Sequence, residues 1–272
     1  MAFDPRREDY QRLGLRFAQS LQSLDSASAT RAFATFGRRF AQDRDSLPQT
    51  DSDRAFHLVA LATKAIDYEL PFASEARAAQ IIDDGHRILD EALTLDSHCY
   101  DAIRMKAAAS NPSFDSFLSF LNEREEEVRA FCEQVRAQAP ADEPAERAGL
   151  FASLAMRPYA RWIAAQAEQA LICGRNKESL RHAHKLLQLD PHDHADVRFT
   201  AAYAYAKLED EAGLDELVQS GRQVGRMRPS DDAWTTLAYL AINFKQNDLD
   251  AAGDALDHLL AQIGRASCRE RV

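Results

Sequence analysis

Apolar residues recur at steps of three and four along nearly the whole chain, the period of helices that bury one face. Segments 5–24 and 28–43 are expected to form a first helix pair, with Tyr10, Leu13, Phe17 and Leu21 on one stripe and Phe33, Phe36 and Phe40 on the other. Residues 44–52 are polar, contain Pro48 and read as a loop. Segment 53–69 aligns Phe56, Val59, Thr63 and Ile66, and Pro71, lacking a backbone N–H, is expected to stop it. A wide apolar face follows over 74–95, through Ala78, Ile81, Ile82, Gly85, Ile88, Leu89, Ala92 and Leu95. Segments 98–109 and 113–137 complete the first half, parted at Pro112.

Residues 138–147 form an acidic Pro/Ala run and read as a linker between an N-terminal helical region, 1–137, and a second region, 148–262. The second region divides into helices 148–154, 158–173, 176–189, 194–208, 212–222, 230–245 and 248–262. No run of alternating β-branched residues interrupts the pattern, so the expected class is all-α, without a sheet. Helix ends are marked chemically. Pro158 suits a first turn, Gly174 a left-handed C-terminus, and Asn176, Ser230 and Asp248 the N-cap position. Asp231 and Asp232 complement the dipole of the helix that follows them.

The second region carries a repeat. Residues 157–193 combine helical apolar spacing, Gly174 at an inter-helix turn and Leu189-Asp190-Pro191 at the end, with Gly174 and Pro191 17 residues apart. A second unit starts at His194 and includes Tyr203, Tyr205 and Leu208. A third starts at Pro229, 38 residues after Pro191, with Trp234, Leu237, Ala238, Ala241, Asp248 and Ala251. This arrangement resembles the tetratricopeptide (TPR) family, whose unit is two antiparallel helices in about 34 residues. Ser179 stands at the small-residue position of the first unit's second helix, and Leu89, Ala92, Leu95 and Asp96 resemble a weaker unit in the first half. The resemblance implies antiparallel helix pairs stacked as a right-handed α-α superhelix, because one pair alone cannot bury its apolar face.

It also implies a concave groove lined by the first helix of each pair. Arg161 and Glu168 would come from one unit, Phe199 and Tyr203 from the next, and Thr235, Tyr239 and Asn243 from the third. The lysines and asparagines of the family's carboxylate clamp are not matched, so an apolar or aromatic segment of a protein or peptide fits better than a terminal carboxylate. The implied role is a non-catalytic interaction scaffold.

Composition narrows the alternatives. Ten glycines and nine prolines are few for an all-β chain. A formal charge of −10 makes nucleic acid and anionic membranes unfavoured partners. No stretch is long and apolar enough to span a bilayer, and the N-terminus lacks an apolar signal core, so a cytoplasmic location is expected. Cys99, Cys132, Cys173 and Cys268 have neither disulfide nor zinc spacing and read as small hydrophobes. Segment 1–44 holds eight arginines against five acids, Arg38 and Arg39 among them, and reads as a solvated basic face.

Phosphate-cradling loops, nucleophile elbows and zinc-protease helices are absent, and no cofactor is implied. Gly221 and Gly225 lack the Lys-Ser/Thr that a phosphate loop needs. His182, His184, His192 and His194, with Asp190, Asp193 and Asp196, form the sharpest metal candidate. However, His182 and His184 lie about 200° apart around a helix and cannot share an ion, which leaves a partial site of one helix histidine with His192 or His194, or else solvent-facing turn residues. Glu125 and Arg129 are expected to pair on an exposed face, and Phe114, Phe117 and Phe120 to pack inward.

Residues 263–272 resemble, codon for codon, the translated reverse complement of a common short-read sequencing adapter. They are expected to be foreign and carry +2, leaving −12 on the rest. Deleting them is expected to leave the melting temperature within a couple of degrees; a larger drop would show that they pack. An alternative role follows: the readable chain would be a regulatory or scaffold portion of a longer protein whose remainder carries an enzymatic or DNA-binding domain.

Overall fold

A computed structural model describes residues 4–21, 25–139, 144–224 and 232–269, with side chains described as far as residue 261. Every regular element among them is helical and none is a strand. The chain forms two compact units, one from Asp4–Asn111 with Arg124–Tyr159 and the other from Pro112–Glu123 with Ala160–Val272. Of the acidic run 138–147, residues 140–143 lie outside the described part.

The first unit holds α1 (Pro5–Ser20), α2 (Ser26–Phe33), α3 (Phe36–Gln42), α4 (Asp51–Thr63), α5 (Glu75–Leu95) and α6 (Tyr100–Ser110). It also takes parts of α7 (Phe114–Ala137) and α8 (Ala145–Ile172). The Asp4 carboxylate starts α1 by accepting from the amides of Arg6 and Arg7. Thr50 and Asp53 close a reciprocal capping box on α4. Leu13, Phe17, Phe36 and Leu47 form one core cluster, while Tyr10 and Phe33 stay substantially exposed at its rim. α4 packs on α1 and α5. Its second cluster is built on Ala55, Val59 and Ala62 against Leu89, Ala92 and Ala102, where alanines let the helices approach closely.

Segment 53–69 is helical to its expected end, though not as one α-helix. The α-helix gives way at Lys64 to a π-helical turn, Lys64–Glu69, and Pro71 sits within a following 3-10 turn, Leu70–Phe72. That short turn tolerates proline because its first residues need no N–H donor. Ile66 of the π turn packs on Gly85, where a Cβ would lie 3.1 Å from the isoleucine Cδ1.

The arginines of segment 1–44 do not form one solvated face. Arg44 clamps the buried Asp9 at 2.6 and 2.7 Å, and His57 Nδ1 lies 2.8 Å from the same carboxylate. Glu8 is buried against Arg12 and Arg157 at 2.9 and 3.4 Å, and Asp53 accepts from Arg16 at 3.1 Å. These cations follow buried carboxylates inward because an unpaired interior charge is costly.

The second unit contains α9 (Asn176–Leu189), α10 (Val197–Leu208), α11 (Glu211–Gln223), α12 (Ala233–Lys245) and α13 (Leu249–Arg269). α10 packs on α9, α11 and α12, and α12 on α13. The α13 backbone runs past Gln262 to Arg269, whereas residues 270–272 lie outside the described part. Trp162 is fully buried; its indole N–H donates to the Leu121 carbonyl at 2.9 Å.

Three of this unit's helices end alike. Beyond α8, Gly174 is left-handed at φ 74°, with its N–H on the Leu171 carbonyl and the Arg175 N–H on Ala170. Glu209 repeats this after α10, and Asn247 after α12, at φ 59° and 63° with the same pair of bonds. Each is the paired-bond helix terminus that a left-handed residue makes possible. The three termini are 35 and 38 residues apart. Neighbouring ends also touch: Gln246 Nε2 donates to the Glu209 carbonyl at 3.3 Å, and Lys245 pairs with the Glu209 carboxylate at 3.3 Å. Ser179 is fully buried, and its hydroxyl donates to the Ala167 carbonyl at 2.7 Å, the close helix crossing that a small residue permits.

Local expectations are corrected at four places. Segments 148–154 and 158–173 are one helix, α8, with Pro158 inside it rather than in a first turn. An interior proline forfeits one helical bond at a cost of about 3 kcal/mol; buried Leu154, Met156 and Tyr159 around it offset that cost. Asn176 is the first helical residue of α9, Arg175 holds the N-cap position, and no side chain caps there. Phe114 is 65% exposed, and Leu118 and Leu121 take the inner face instead. Steps of three fall short of a full 3.6-residue turn, so Phe114, Phe117 and Phe120 drift around the helix. Arg129 pairs with Glu126 and Glu133, whereas Glu125 accepts from the Tyr159 hydroxyl at 3.1 Å.

Candidate functional site

The aromatic surface of α10 and α12 is the best-defined candidate. Phe199 and Tyr203 lie one turn apart on α10, and their rings flank Trp234 at 6.4 and 5.8 Å, the second contact edge-on at 82°. Trp234 remains 53% exposed. The Arg198 guanidinium lies 4.1 Å from the centre of the adjacent Phe199 ring and is tied back by Asp193 and Asp196.

The start of α12 is held by Asp232. Its carboxylate accepts from the Trp234 amide at 3.0 Å and from the Thr235 hydroxyl at 2.5 Å, which sets the first turn. Ser230 and Asp231, expected to cap or charge this end, lie outside the described residues. Asp248 caps α13 through the Ala251 amide at 3.0 Å.

The seven residues expected to line a groove are placed as follows. Phe199 and Tyr203 are half-buried and come together around Trp234. Tyr239 is half-buried, with its hydroxyl 2.5 Å from Asp215 on α11, and makes no ring contact with Tyr203 among the described residues. Asn243 is half-buried and Glu168 exposed. Arg161 and Thr235 are 7% and 9% exposed, so little of either is open to a partner. Trp234, absent from the expected set, is the most exposed ring of the cluster. It precedes Thr235 by one residue, and a first-turn aromatic with no partner one turn earlier on its helix gives no i, i+4 signal.

Burial raises the pKa of Tyr203, helped by the Asp232 charge. Burial and the hydrogen bond to Asp215 raise that of Tyr239 further. Both phenols therefore remain neutral hydrogen-bond donors over the physiological range.

The histidines do not converge. His182 is buried 3.8 Å from Glu178, while His184 bonds the Tyr205 hydroxyl at 2.8 Å. His194 pairs with Asp190 at 3.0 Å, and its ring centre is 6.1 Å from that of His192. Asp193 is a buried helix-start carboxylate that accepts from the amides of Val197 and Arg198. Among the described residues no group of three metal-ligating side chains is assembled. Cys99 and Cys132 are buried, and burial pushes the Cys99 thiol up to about 12, which keeps it protonated and unreactive.

Among the described residues no helix is long and apolar enough to cross a membrane. No protein-family model matches this chain, and neither the curated proteins nor the solved structures compared with it contain a match.

Proposed function

We propose that the second unit is a TPR-like stack of helix pairs whose α10/α12 surface holds an apolar or aromatic segment of a partner protein or peptide, in a non-catalytic scaffold role. The repeated left-handed termini at Gly174, Glu209 and Asn247 support the repeat reading, because equivalent backbone turns at similar spacing mark equivalent units. The observation that carries the binding reading is the half-exposed Trp234 ring set between Phe199 and Tyr203. Trp and Tyr offer large contact area with few rotors to immobilise, and they dominate binding energy at interfaces.

Selection of binders from a random peptide library on the full chain tests this directly. Recovered peptides should share apolar or aromatic anchors and bind Trp234→Ala and Tyr203→Ala at least tenfold more weakly. The denaturation midpoints of both variants should move little. Loss of about 3–5 kcal/mol of stability in Tyr203→Ala, the cost of truncating a core aromatic, with peptide affinity unchanged, would return these rings to the core and defeat the proposal.

A further inference from the structure

The first unit contains a pocket of about 390 Å³, separate from the aromatic surface and not dependent on its role. Its volume falls within the about 300–1,000 Å³ usual for small-molecule sites. Its apolar lining comes from Leu15 of α1, Val135 of α7 and Phe151, Leu154 and Ala155 of α8. Arg12 and Arg16, one helical turn apart on α1, bring two guanidinium groups to the same pocket.

Neither guanidinium is fully committed. Arg16 gives only Nε to Asp53, at 3.1 Å, so its two terminal nitrogens have no partner among the described residues. Arg12 gives Nε and one terminal nitrogen to a single oxygen of Glu8, while its planar group lies 4.3 Å from the centre of the Phe56 ring. The remaining N–H donors form the fork geometry that matches a carboxylate. The two cations outnumber the one carboxylate in the lining, that of Asp53. Glu8 behind Arg12 is shared with Arg157, so three cations meet two carboxylates, a surplus of one positive charge that suits a monoanion.

We propose that this pocket binds a small amphiphilic carboxylate, its head on Arg12 and Arg16 and its apolar body against Leu15, Phe151, Leu154 and Ala155. A phosphate dianion fits less well, because Asp53 and Glu8 stand behind the same two arginines and repel the second charge. Burial of the body removes apolar surface from water, and the pair of arginines selects the charged head over a neutral one.

Calorimetric titration of the full chain with decanoate and phenylbutyrate, decanol and decyl phosphate tests the assignment. At least one carboxylate should bind, with decanol and decyl phosphate each at least tenfold weaker. Arg16→Gln should weaken the bound carboxylate at least tenfold. Ala155→Trp, which fills the apolar end and leaves both arginines in place, should abolish binding with the helical spectrum retained. Silence of both carboxylates, equal binding of decanol, tighter binding of decyl phosphate, or binding indifferent to Ala155→Trp would overturn the proposal. If Arg16→Gln loses its fold, the Ala155→Trp variant and the ligand series decide alone.

Discussion

Asp9→Ala is expected to cost the first unit about 3–5 kcal/mol, the penalty for breaking a buried ion pair from one side. Asp9 is almost fully buried, and Arg44, itself only 10% exposed, spends two of its donors on that carboxylate at 2.6 and 2.7 Å. Removing the carboxylate leaves the guanidinium with the exposed Asp45, at 3.2 Å, in place of a buried counter-charge, and leaves His57 without its acceptor. The double variant Asp9→Leu with Arg44→Leu should recover much of the loss, since an apolar replacement of both partners leaves no stranded charge. Chemical denaturation of the single and double variants measures both effects. A single variant within about 1 kcal/mol of the parent would show the pair to be dispensable.

The same carboxylate sets a pH dependence. Burial by itself would raise the Asp9 pKa, but the hydrogen bonds from Arg44 and His57 and the Arg44 charge outweigh it and hold the group below its ordinary value. An unfolded aspartate titrates at about 3.9. A depressed native value therefore stabilises the fold above that pH, and the contribution is lost as pH falls through the lower native pKa. Stability should decline on acidification below about pH 4, and that part of the decline should be absent in the double variant.

Trp162→Ala should cost the second unit about 3–5 kcal/mol, the range for truncating large buried aromatics. The indole is fully buried beside Phe120, at 6.0 Å between ring centres, and satisfies the Leu121 carbonyl. Trp162→Phe separates the two contributions. It keeps much of the volume and removes the indole donor, while the Leu121 carbonyl inside α7 keeps its helical N–H, so the loss should be about 0.5–1.5 kcal/mol. Equal losses in the two variants would mean that the hydrogen bond, rather than the ring volume, holds the helices here.

The helical class, most apolar stripes and several helix ends were legible in the sequence, because each depends on residues within one or two turns. Phe56, Val59 and Thr63 face inward as their spacing demands, Gly174 takes the left-handed turn, and Asp248 caps its helix. Of the aromatic surface on α10 and α12, Phe199 and Tyr203 were legible for the same reason, as an i, i+4 aromatic pair. Tertiary structure decided what such short-range patterns do not encode. Asp9 meets Arg44 and His57 across 35 and 48 residues, so a segment that reads as a basic face becomes an internal ion-pair network. Glu209 adopts the left-handed conformation that Gly174 advertises, where its carbonyl and carboxylate meet Gln246 and Lys245 at the end of α12. Trp234 joins Phe199 and Tyr203 only because α10 and α12 pack together. Local propensity selects helices one turn at a time, whereas burial of charge and the meeting of distant rings depend on which helices share a core.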